Sequence, residues 1–229
     1  MEKKELPKKG KGLEQKERNQ EKESGKPSWI SNKAFDVMKL VLGICFLPFV
    51  YSSTTAFLRQ IRHIDGAAQN YFWYGVITFL VFYLFIWEIE FIYSTGHRML
   101  EALFSFFQPL VKIGPYLLPI YSIIFFIIYL ILVVFISQSR LINILMFLLG
   151  FGLILHLVFS SRSLRSKKGD LLKSNYIFGF SFIYIINLGL IALMLNIIFA
   201  DFSFVSFCNN SYNTAAGIFE RVFSQLFSV

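Results

Sequence analysis

The chain has 229 residues, of which 55% are hydrophobic and only 16% charged, with a formal net charge of +8. Its apolar residues come in runs of roughly 20, the length a helix needs to cross a bilayer core. That pattern excludes an ordinary soluble domain, and two cysteines exclude a disulfide framework.

Residues 1–34 hold ten Lys or Arg and six Glu with few apolar side chains. Such a segment buries too little surface to offset its ordering entropy, so it is expected to be a disordered, cytoplasmic charged tail. It can touch anionic lipid headgroups or simply set topology. Its basic residues alternate with Glu and lack interleaved aromatics, which argues against nucleic acid as a partner.

Residues 35–229 are expected to form a helical transmembrane domain. Backbone groups in hydrocarbon must pair internally, and helices do this within one segment. The expected fold is therefore an all-α integral membrane protein with about five transmembrane helices plus short interfacial helices. The apolar runs cover 37–57, 72–93, 115–137, 141–160 and 176–200. Pro48 lies inside the first run, which membrane helices tolerate. Cys45, in the same run, reads as a small buried thiol. Segment 97–108 is too short and polar to span and reads as an interfacial helix. Near the C-terminus, Ile218, Phe219, Val222, Phe223 and Leu226 form a helical stripe that fits either the membrane surface or the bundle.

Lys and Arg gather on the inner side of a membrane protein. With the tail inside, that side holds the ten tail residues, Arg98, Lys112 and the five of the 161–175 loop. These make 17 inside, against Arg59, Arg62, Arg140 and Arg221 outside. The expected localisation is a bacterial inner membrane, with the N-terminus cytoplasmic and the C-terminus outside.

Ionisable groups near membrane depth are costly and point to function. Glu88, Glu90, His97, Arg98, Glu101, His156 and Asp170 all fall toward the inner side in this topology. His97 and Glu101 are spaced i, i+4 and share one helix face, which suits two ligands of one metal ion. The structural alternative is an Arg98–Glu101 pair at i, i+3, with His97 bonded to a carbonyl.

Gly96-His97-Arg98-Met99-Leu100-Glu101-Ala102 resembles the Gly-His-Glu-x-x-His-Ala segment of site-2-protease-like intramembrane zinc metallopeptidases. Pro115-Tyr116-Leu117-Leu118-Pro119-Ile120-Tyr121 resembles the Pro-Tyr-Phe-Phe-Pro-x-Tyr run of one bacterial branch of that family. Gly150-Phe151-Gly152 through His156, then Gly169-Asp170-Leu171, are similar to that branch's fourth helix and following Pro-Asp-Leu stretch. The resemblance spans roughly 36–207. It implies a vestigial metal site at His97, Glu101 and Asp170, with zinc as the implied ion.

The departures bear on activity. In the family, zinc acidifies a water and the motif Glu takes its proton. Here Arg98 stands at the base position, and a guanidinium accepts no proton. Glu101 replaces the second His, and the glycine-rich substrate stretch is absent between Gln108 and Gly114. The resemblance thus implies an inactive relative, without bound zinc, kept as a binding or regulatory subunit. Its partners would be the lipid bilayer and another membrane protein, such as an active paralogue. Arg98 would then pair with Glu101 or Glu90. The alternatives are a working metallopeptidase with Glu88, Glu90 or Glu101 as base, and a helical membrane component whose likeness stems from Phe-rich composition.

Overall fold

The computed structural model describes residues 28–85, 90–103, 105, 114–135, 138–166 and 176–227. All regular structure among them is helical: α1 Ser28–Ile61, α2 Gly66–Phe85, α3 Glu90–Leu103, α4 Ile120–Leu132, α5 Gln138–Ser166, α6 Tyr176–Ile198 and α7 Phe204–Phe227. Three segments are long and apolar enough to cross a membrane: Leu40–Ile61, Arg140–Leu164 and Tyr176–Ile198. The chain is a membrane protein. Exposed Val41, Ile44, Leu84, Phe85, Ile131 and Val134 give it a surface compatible with lipid contact.

α1 runs straight through Pro48, whose missing N–H leaves an acceptor open. Hydroxyls of the next turn work locally: Ser53 donates to the Phe49 carbonyl at 2.7 Å and Thr54 to the Val50 carbonyl at 2.6 Å. Thr54 also meets the Tyr184 hydroxyl of α6 at 2.8 Å, a polar contact between helices. α1 begins at Ser28, earlier than the expected end of the charged tail at residue 34. Residues 1–27 lie outside the described residues. Cys45 is exposed, correcting the expectation of a buried thiol; among the described residues no other helix covers its face of α1.

Asp65 starts α2 by accepting from the backbone N–H of Ala67 and Ala68 at 3.0 and 3.3 Å, a side-chain N-cap. α2 and α5 then meet backbone to backbone. A Cβ built on Gly75 would lie 2.0 Å from the Phe147 carbonyl oxygen, and one on Gly150 2.2 Å from that of Phe72. Only glycine fits either position. The pair is parallel: Phe72 sits beside Gly150, Phe79 on Phe151, and Tyr83 on Phe159.

α1 and α6 are also parallel, with Gly43 against Phe178 and Thr54 on Tyr184. α7 runs the other way along α1. Gln60 accepts from the Ser203 N–H at its start, and Phe219 stacks on Phe49 farther along. α7 therefore packs on the bundle through only part of the C-terminal stripe. Ile218 and Phe219 are partly covered, whereas Val222, Phe223 and Leu226 are exposed. α5 is the central helix, burying Met146, Leu149 and Leu153 against α2, α4 and α6.

The expected third span, 115–137, is broken. A single turn covers 114–117, and α4 starts only after Pro119. Pro119 has ψ 77°, off the helical value, and the Ile120 N–H turns back to the Leu118 carbonyl. The carbonyls of Tyr116 and Leu117 are thereby freed from helical bonding.

Candidate functional site

The freed carbonyls organise the polar centre of the bundle. His156, 3% exposed in α5, places Nε2 3.0 Å from the Tyr116 carbonyl oxygen. A carbonyl only accepts, so this bond assigns the ring proton to Nε2. Ser160, one turn on, donates to the same oxygen at 3.3 Å and lies 3.2 Å from Nε2. From α6, the Asn187 amide donates to the Leu117 carbonyl at 3.0 Å and to Ile183 of its own helix at 2.8 Å. Three side chains from two helices thus supply the bonds that the break removed. An amide carbonyl buried without partners would cost about 1–3 kcal/mol.

α3 closes one side of this centre. Tyr93 packs between His97 and His156, with ring centroids at 5.9 and 6.2 Å. The Tyr116 ring lies 4.9 Å from that of His97, edge to face. Gly96 lets α3 approach α4: an added Cβ would fall 2.8 Å from Ile120 and Tyr121. Glu101 Oε1 stands 3.4 Å from His97 Nε2.

The structure therefore brings His97 and His156 to either side of Tyr93, with Glu101 beside His97 at the exposed edge. Arg98 lies on the exposed face of α3. Among the described residues Glu101 is paired with His97, not with Arg98, which corrects the expected Arg98–Glu101 pair. Both His97 at i, i+4 and Arg98 at i, i+3 are within reach of Glu101; His97 takes it, and Arg98 is turned to the exposed face. Glu88, Asp170 and the side chain of Glu90 lie outside the described residues. No group of three His, Cys, Asp or Glu donors forms among the described residues.

Sequence reasoning missed Ser160, Asn187 and the Tyr116 carbonyl. Their signals were present: a serine four residues after His156, a lone amide in an apolar run, and a proline breaking the helix between them. No family model, no curated protein and no solved structure matches this chain.

Proposed function

We propose that this chain is a non-catalytic, metallopeptidase-like membrane protein that binds or regulates another membrane protein. The observation that carries the reading is the use of the polar centre. His156 is committed to the Tyr116 carbonyl, and the residue at the family's base position is an exposed arginine. Proton transfer from a metal-bound water requires an acceptor within hydrogen-bond reach. Arg98 cannot serve, and His156 donates its Nε2–H to the Tyr116 carbonyl, which leaves Nδ1 as its one acceptor. An active paralogue with an intact motif is the first partner to test.

The test is elemental analysis of the natively purified chain beside the Arg98→Glu/Glu101→His double variant. The wild type should carry no stoichiometric zinc and show no peptidase activity. About one zinc per wild-type chain, as a single closed site would hold, lost on His97→Ala, would overturn the reading. That result would favour an altered-site metallopeptidase. The His97–Glu101 approach at 3.4 Å is what supports this second reading.

The topology proposed with it puts the charged tail inside. α1 and α6 point outward, and α2 and α5 point inward. Two parallel helices in sequence need one return crossing between them, and the turn at 114–117 with α4 supplies it between α2 and α5. These are the five crossings expected from the apolar runs. α7, antiparallel to α1 over 24 residues, adds a sixth. At 1.5 Å per residue it is about 36 Å long, enough for the hydrocarbon core. The C-terminus then returns to the side of the tail, in contrast to the outward end that charge counting suggests. A reporter fused after Val229 should behave as cytoplasmic; extracytoplasmic activity would refute the sixth crossing.

A further inference from the structure

α7 has two unlike faces. One packs along α1, burying Phe207 and Ala215. The other carries Ser206, Asn209, Asn213, Ala216, Glu220, Phe223 and Phe227, a strict alternation of three- and four-residue steps. Asn209, Asn213 and Glu220 are exposed, and none of them has a side-chain hydrogen bond or ion pair among the described residues. Phe223 and Phe227 are 57% and 73% exposed. Gly217 flanks the stripe, and a Cβ built there would meet nothing within 4 Å.

Depth makes this face a problem. Ser203 is level with Gln60, at the end of the α1 span, and Phe219 is level with Phe49, near its middle. Asn213 and Glu220 then lie at hydrocarbon depth, where unpaired amides and carboxylates are costly. The 3–4 repeat is the seam of two helices wound on each other. Ala216 and Gly217 let two backbones approach, as small residues do in membrane helix pairs.

We propose that α7 is the seam of a parallel homodimer, with a second copy of this chain as the occupant. The proposal rests on the six-crossing topology. Two copies in one membrane, related by a twofold axis along its normal, present α7 to α7 at equal depth. An asparagine amide carries both donor and acceptor, so Asn209 and Asn213 each satisfy their own copy. Glu220 and Arg221 are neighbours in sequence, so each glutamate meets the arginine of the other chain, twice. This self-complementary charge favours a second copy over an unrelated helix.

The experiment uses the full chain in native membranes, with Cys45→Ser and Cys208→Ser as background. Ala216→Cys should form a disulfide-linked dimer on oxidation, whereas Phe219→Cys, at the position that meets Phe49 of α1, should not. Glu220→Arg and Arg221→Glu should each lower the dimer yield on the order of tenfold, the worth of one interhelical polar contact. The double variant, which restores opposite charges across the seam, should recover it. Thermal melting of each variant identifies a loss that comes from misfolding, and recovery in the double variant separates pairing from folding. Labelling of Ala216→Cys by a membrane-impermeant maleimide would place the stripe in water and overturn the topology and the dimer together. A shielded thiol with no self-cross-link, or one linked to a different protein, would overturn the dimer alone.

Discussion

Gly150→Ala adds one methyl group and should rank among the most damaging substitutions in the bundle. Its Cβ would lie 2.2 Å from the Phe72 carbonyl oxygen, and that of Gly75→Ala 2.0 Å from the Phe147 oxygen. Carbon and oxygen settle at roughly 3.3 Å. α2 and α5 would have to part by about 1 Å, because backbone cannot rotate out of the way as a side chain can. Separation also loosens Phe72, Phe79, Met146 and Leu149, all buried at this seam. Overpacking usually costs about 1–3 kcal/mol, and this contact belongs at the upper end. One separation relieves both clashes, so the double variant should lose little more than the worse single one. Gly189→Ala is the control: its Cβ would meet nothing within 4 Å, and helix propensity alone favours Ala by about 1 kcal/mol. Reversible unfolding in mild detergent, followed by far-UV circular dichroism, reads all four. The reasoning fails if the Gly75 and Gly150 variants lose less than about 0.5 kcal/mol each, the range of ordinary surface changes. It fails equally if their losses add in full.

Two further predictions probe the polar centre. His156→Phe should destabilise by about 0.5–1.5 kcal/mol, the net contribution of one hydrogen bond, because Ser160 still donates to the Tyr116 carbonyl. In a Pro119→Ala background, where the helix can run through and bond that carbonyl itself, the same change should cost no more than about half as much. A double-mutant cycle by detergent unfolding measures the coupling; a value near zero would mean that the break and the histidine are unrelated. Arg98→Glu should shift stability by no more than about 0.5 kcal/mol, since Arg98 is exposed and no ion pair holds it among the described residues. A loss of several kcal/mol would mean that Arg98 is held by a charge the described structure does not contain.

The helical class and the positions of most helices were legible in the sequence, because a run of twenty apolar residues has few other fates. The pairing of the second and fourth runs was also within reach, given an inward topology and the glycines at 75 and 150. Less visible was α7. Its asparagines, glutamate and arginine dilute the apolar signal, and only the antiparallel contact from Gln60 to Phe49 shows it beside a membrane span. The break at Pro119 was hidden for a related reason. Composition weighs a proline as one residue in twenty-three, whereas the helix loses an N–H at that point and the chain must turn.

The polar centre illustrates how an intramembrane histidine is to be weighed. His97 and His156 flank Tyr93, with Glu101 beside His97, and ionisable groups so placed invite a chemical reading. The question that decides is where the backbone groups of the neighbouring segment go. Two carbonyls lose their helical partners at Pro119, and in hydrocarbon no water replaces them. His156 and Ser160 from α5 and Asn187 from α6 reach these carbonyls at 3.0, 3.3 and 3.0 Å. A histidine so placed already has a structural use: its Nε2–H is taken up by that bond, and only Nδ1 is left as an acceptor. His97 differs: it faces the Glu101 carboxylate from α3 at 3.4 Å. His97 faces a carboxylate where His156 faces a carbonyl, which makes His97→Ala, more than His156→Ala, the substitution that separates a binding protein from an enzyme.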